Sequence, residues 1–159
     1  MTTRTTKAAK SAATASPLPF RIKSILVPLD FSPPSKKTLD YAVTFARQFK
    51  AKLTLVHVIE PIAASFPLAM ENDQSMAAAQ KQLESLVKAA RIPRSAVEKF
   101  LVRFGRSFHE IADAARTRKV DLIIISTHGY TGLKHALLGS TTERVVRHAP
   151  CPVLVVRQR

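Results

Sequence analysis

The chain is poor in glycine, cysteine, aromatic and acidic residues, and each scarcity closes a class of answers. Of 159 residues, four are glycine, one is cysteine and none is tryptophan. A single cysteine, Cys151, forms no internal disulfide, and its place between Pro150 and Pro152 suits a small packing residue in a reducing compartment. With no acidic or histidine neighbour fixed beside it, it lacks the setting of a reactive thiol. No G-x-x-x-x-G-K-S/T loop is present, which excludes a P-loop phosphotransferase. Where a dinucleotide-binding chain would carry G-x-G-x-x-G, this one has Pro-Leu-Asp-Phe-Ser, so dehydrogenase chemistry has no footing. The histidines at 57, 109, 128, 135 and 148 form no i, i+4 set with carboxylates that would bind a transition metal. No nucleophile, base and orienting acid assemble from local signatures. No apolar run approaches the length of a membrane span.

Acidic residues number 11 against 25 lysines and arginines, a net charge of +14. Five of the positive charges (Arg4, Lys7, Lys10, Arg21 and Lys23) fall in a stretch without a carboxylate. Residues 1–20, rich in Thr, Ala and Ser and lacking an apolar period, are expected to be a disordered basic tail. That composition also resembles a transit peptide, but nothing else points to an organelle, and a cytoplasmic protein with an untargeted tail is the expectation. Residues 21–159 are expected to form a single domain. The other charges are spread without a dense run or interleaved aromatics, which predicts a solvated basic surface with weak, nonspecific polyanion binding at low salt.

What the chain does have is short apolar runs separated by helical periods. Ser24–Pro28 is a continuous apolar run of the kind shown by a strand covered on both faces. Asp30 follows its carboxyl end. Ser32 and Pro33 then mark a helix start, because serine accepts from the free N–H groups and proline has none to leave unpaired. Leu39, Val43, Ala46 and Phe49 recur at helical spacing and predict a helix to about Lys50. Lys52–Val58 is a second strand, in which His57 is expected as a hydrogen-bonded core histidine. Residues 60–73, with Pro61 and Pro67, predict a loop before a helix from Gln74 to about Ala90.

Phe100, Val102 and Phe104 alternate with Leu101 and Arg103 in a strand suited to a sheet edge. Ser107 and Glu110 have capping-box spacing and open a helix to about Arg118. Asp121–Ser126 is a fourth strand, Ser140 and Glu143 form a second capping box for a helix to about His148, and Pro152–Val156 is the last strand. Five strands alternating with four helices specify an α/β, three-layer, doubly wound parallel sheet.

Ligands of such sheets bind beyond the carboxyl ends of the strands, where strand order reverses. Asp30 stands after the first strand, and the Ser126–Gly132 loop after the fourth. The helix start at Ser140 offers free N–H groups and the positive end of the helix dipole, a seat for phosphate that Gly139 lets a ligand approach closely. If the first and fourth strands are neighbours, Asp30 faces that seat and supplies a carboxylate for ribose hydroxyls. His128 lies in the loop and is expected to hold it in shape rather than to move protons.

The combination Ile-Leu-Val-Pro-Leu-Asp-Phe-Ser, Leu-Val-His-Val-Ile-Glu-Pro, and Ser-Thr-His-Gly-x9-Gly-Ser-Thr-Thr-Glu-Arg-Val-Val-Arg-His-Ala-Pro-Cys-Pro-Val-Leu-Val-Val-Arg resembles the universal stress proteins from Ile22 to Arg157. The nucleotide-binding members of that family carry G-x2-G-x9-G-S/T. Gly129, Gly139 and Ser140 match it, while Ser126 replaces the first glycine, and its hydroxyl either crowds a ribose or hydrogen-bonds it. The resemblance implies a Rossmann-like sheet of order 3-2-1-4-5, of the adenine nucleotide alpha-hydrolase-like type. It implies that Asp30 contacts the adenosine, that the Val58 backbone reads the adenine edge, and that Gly129, Gly139, Ser140 and Thr141 hold the phosphates. Pro28, Ser126, His128 and Gly132 complete the expected binding set. The implied ligand is ATP, or AMP or ADP, with Mg2+ or Mn2+, in a stress-associated protein that acts by binding rather than turnover, with at most weak ATP hydrolysis. A nucleotide-independent dimeric interaction module of the same family is the alternative that Ser126 favours. On the implied strand order the last strand is an edge, and Val153, Leu154, Val155 and Val156 are apolar enough to predict a twofold homodimer through it.

Overall fold

A computed structural model describes residues 21–61, 69–127 and 139–157, with the side chains of 69–72 excepted. The expected tail, 1–20, lies outside the described residues. The elements run β1 (Ser24–Pro28), α1 (Pro33–Phe49), β2 (Lys52–Ile59), α2 (Ala69–Ala89), a 3-10 turn (Arg94–Ala96), β3 (Val97–Phe104), α3 (Ser107–Thr117), β4 (Leu122–Ser126), α4 (Ser140–His148) and β5 (Val153–Val156). The strands form one parallel sheet in the order β3-β2-β1-β4-β5, as the apolar runs and the family resemblance imply.

Alternation along the central strands sorts the core into two halves. Ile25, Val27, Leu53 and Leu55 pack with Leu39 and Ala42 of α1 and Leu83 and Val87 of α2. Leu26, Val56 and Ile123 pack on the other face with Ile111 and Ala115 of α3 and Val145 of α4. Two helices on each face cover the sheet, which is why β1 and β4 are apolar on both sides.

The start of α1 follows expectation: Ser32 is its N-cap and accepts from the Ser35 N–H at 3.3 Å, with Pro33 behind it. Its last turn does not, because Phe49 is 39% exposed while Leu39 and Ala46 are buried. The helix closes there on Lys50 in a left-handed conformation (φ 54°), and the Phe49 ring lies 5.9 Å from that of Phe45. The second helix begins at Ala69, five residues before the expected Gln74. Pro67 is the last helix breaker before it, and Ala69, Met70 and Glu71 are good helix formers.

Neither expected capping box forms. The N-caps of α3 and α4 are Arg106 and Gly139, and neither makes a side-chain cap bond. Ser107 and Ser140 thus occupy the first helical position, one residue too late to cap. Glu110 pairs instead with Arg103 at 3.8 Å, and Glu143 accepts from Arg147 at 2.8 Å.

Thr54 in β2 is 1% exposed, and its Oγ1 has no hydrogen-bond partner among the described residues. An orphaned buried hydroxyl costs about 1–3 kcal/mol. Thr54→Val is expected to stabilise the fold by about 1 kcal/mol and raise Tm by about 2–4 °C. Calorimetry checks this, and a lowered Tm would mean that the hydroxyl is satisfied after all.

Candidate functional site

Because all strands are parallel, the chain leaves each of them at the same end, and the cleft lies there. A cavity of about 210 Å3 opens where β1, β2 and β4 end, and it brings together Pro28, Asp30, Val58, Ser126, Gly139, Ser140 and Thr141. These are the expected site residues that fall within the described chain. His128, Gly129 and Gly132 lie outside it. The register puts β1 between β2 and β4, so the adjacency on which the Asp30–Ser140 opposition depends is present.

Asp30 is held by the turn it initiates. Its Oδ1 accepts from the Ser32 N–H at 3.1 Å and from the Ser32 hydroxyl at 2.5 Å, a local Asx-type turn. Phe31, between them, takes a left-handed φ of 63°, an uncommon conformation for a residue with a side chain. Its ring lies 4.4 Å from that of His57. Asp30 Oδ2 is left without a protein partner among the described residues and is available to a hydroxyl in the cleft.

Across the cleft, α4 is anchored by its own backbone and one threonine. The Gly139 N–H donates to Thr127 O at 2.7 Å, and the Thr142 hydroxyl donates to Ser126 O at 2.8 Å. These two bonds do what the capping box was expected to do, and among the described residues no side chain caps the start of α4. The first-turn N–H groups of Ser140 and Thr141 have no intrahelical partner by construction. Ser126 is 7% exposed and so adds little to the surface a ligand would meet.

A third polar feature lies on β2. Backbone pairing with β1 ends at the Leu29 N–H, which donates to Val56 O at 2.8 Å. On the opposite side of β2, Ile59 O accepts from the Gly105 N–H, so the Val58 N–H and C=O point toward β1, past the last bond to it. Leu29 O, the next acceptor along β1, is taken by His57 Nδ1 at 2.7 Å. One residue therefore presents to the cleft a donor and an acceptor with no partner among the described residues, and the half-buried His57 is hydrogen-bonded as expected.

Sequence reasoning missed Glu60, Ser107, Ser35 and Thr142 in the wall, along with the apolar Leu29, Val56, Ile111 and Ile125. Glu60 is the most consequential. Its carboxylate accepts from the Ser107 N–H at 2.7 Å and so caps α3 from 47 residues away in sequence. The Ser107 hydroxyl, that N–H and the Arg106 guanidinium hold its carboxyl below the usual range, against partial desolvation. Cys151 is a half-buried free thiol whose pKa is raised by burial and by the charge of Asp121, in keeping with a packing role. Among the described residues no group of three metal-ligating side chains occurs, and no helix is long and apolar enough to cross a membrane.

A model described as the universal stress protein family matches residues 21–157. The chain is 34% identical over 141 residues to universal stress protein A homolog 1 of Coxiella burnetii, covering 84% of this chain and 95% of that one. Universal stress protein UspA from Lactobacillus plantarum has a TM-score of 0.72 at 28% identity, with 86% of this chain and 99% of that one covered. A universal stress protein solved in complex with cAMP shares the fold, with a TM-score of 0.61 at 22% identity over 86% and 98% of the two chains.

The Glu60 cap has a pH signature. Its pKa is lowered on folding, so its contribution is present above the unfolded value near 4.5 and is lost as pH falls through the folded value. Glu60→Gln keeps an acceptor for Ser107 but removes the titration. The stability difference between the two proteins, followed by denaturant unfolding from pH 7 to pH 3, is expected to shrink below pH 4.5. A difference that stays constant over that range would show that the carboxylate gains nothing from the helix start.

Proposed function

Because the chain belongs to the universal stress protein family, we propose that its cleft binds an adenine nucleotide, ATP or its relatives AMP and ADP, and that the protein acts through this binding rather than through turnover. The observation that carries the reading is the division among the three helix starts that open on the cleft. The start of α1 is occupied by Ser32 and that of α3 by Glu60, whereas the start of α4 has no side-chain cap. An anion entering the cleft finds one open seat, at Ser140 and Thr141, with Gly139 leaving room beside it.

The remaining parts of a nucleotide match the other two polar features. A ribose placed between them puts hydroxyls within reach of Asp30, and the base falls against Val58, whose free N–H and C=O suit the donor and acceptor on the adenine edge. A fold-sharing protein solved with cAMP is consistent with a ligand of this class. A divalent cation, Mg2+ or Mn2+, would enter with the phosphates. In this reading Ser126 is part of the wall, and Gly129, Gly132 and His128, which lie outside the described residues, are proposed to join the ligand set.

At a hundred times its dissociation constant, ATP with magnesium is expected to stabilise the protein by about 2.7 kcal/mol in thermal denaturation. Gly139 has a φ of −66°, which any residue adopts, so Gly139→Val adds bulk at the phosphate seat without backbone strain. The variant is expected to keep the ligand-free Tm and lose the ATP shift. A full shift in the variant, or none in the parent at millimolar ATP, would overturn the reading.

The last strand supports a second, independent element of function, a homodimer. Val153, Leu154 and Val155 are half-buried on the open side of the sheet beyond β4. Pro152 O accepts from Ile123 N–H, and Val156 O from Thr127 N–H, so Leu154 faces β4 and the Val155 N–H points outward. Val155→Pro therefore removes an outward donor without touching the ladder to β4. By sedimentation the parent is expected to be a dimer and the variant a monomer of unchanged Tm, and a dimeric variant would rule out pairing through this edge.

A further inference from the structure

Parallel pairing should carry β1 and β2 one bond further than it does. After the Leu29 N–H bonds Val56 O, the next rung of a parallel ladder is the Val58 N–H to Leu29 O. That rung is missing, and the Leu29 carbonyl instead accepts from His57 at 2.7 Å. A carbonyl has no proton to give, so Nδ1 carries the hydrogen and the tautomer is defined. The ring that makes this bond is itself braced, because Phe31 packs on it with centroids 4.4 Å apart and an interplanar angle of 35°. Phe31 holds that position with a left-handed φ of 63°. Leu29 and Phe31, just past β1, and His57 of β2 thus converge on a single effect, the early end of the ladder beside the cleft.

We propose that His57 is a positioning residue for the nucleobase: by taking the Leu29 carbonyl it stops the β1–β2 ladder at Val56 and keeps the Val58 N–H and C=O open as a donor–acceptor edge. The inference rests on the reading that a base lies against Val58, and it adds how that edge is kept free. His57 itself touches no ligand. Leu29 is buried, so its carbonyl needs a donor, and the imidazole supplies one without closing the strand.

The test compares His57→Leu, which removes the donor, with His57→Asn, whose carboxamide nitrogen stands where Nδ1 stood. The first readout is hydrogen exchange at the Val58 amide in ligand-free protein. It is expected to be fast in the parent and in His57→Asn, and slowed about tenfold or more in His57→Leu as Val58 bonds the released carbonyl. The second is the ratio of affinities for ATP and inorganic triphosphate. His57→Leu is expected to lose about tenfold in ATP affinity while triphosphate affinity holds, and His57→Asn to restore it.

A merely structural role would lower both affinities together and leave the ratio unchanged, which would overturn the proposal, as would a Val58 amide that exchanges alike in the parent and His57→Leu. If the parent fails to distinguish ATP from triphosphate, the nucleobase reading falls and the proposal with it, whatever the exchange result. If His57→Leu does not fold, His57→Asn still decides: a slowed Val58 amide or a lowered ratio in that protein overturns the assignment.

Discussion

Parallel pairing is the constraint from which the rest of this structure follows. Strands that all run one way must each be left at the same edge, so α1, α3 and α4 begin beside one another around the ends of β1, β2 and β4. Each start carries unpaired N–H groups and a partial positive charge. Convergence of three such ends is unfavourable unless negative charge is supplied, and the chain supplies it twice, through Asp30 beside the Ser32 cap and through Glu60 on α3. The third has no side-chain cap among the described residues, and the function proposed for the cleft grows from that.

Much of the fold was legible in the sequence because the central strands have no choice of side. Ile25–Pro28 and Leu122–Ile125 are apolar throughout, which only a sheet covered on both faces tolerates, and the Ser32–Pro33 start needs only its own neighbours to form. The opposition of Asp30 to Gly139 and Ser140 was also accessible once strand order was granted. The capping of α3 and α4 was not. Both S-x-x-E spacings are real, but the helices begin a residue earlier than a capping box requires, and the glutamates turn to arginines. The partner that wins at α3 comes from the end of β2, and no local pattern marks Glu60 for that task.

The free edge at Val58 was beyond sequence reasoning for a different reason. It depends on a rung that is absent, and absence of pairing arises from the geometry of three residues, Leu29, Phe31 and His57, brought together from two strands. Taken singly, they look like ordinary core residues: an apolar position, an aromatic and a hydrogen-bonded histidine. Only their combination separates a closed ladder from one that stops beside a cleft.

The two margins of the sheet are unlike. At one side β3 displays Glu98 and Lys99 to solvent and carries Arg103 in ion pairs with α3, so a foreign strand meets charge there. At the other, β5 is short and wholly apolar. A molecule with two adhesive margins polymerises head to tail, whereas one with a single adhesive margin exhausts its valence in one encounter. If two copies meet through β5 as proposed, association is self-limiting: the pair presents only its charged β3 margins, and growth into a fibril has no next step.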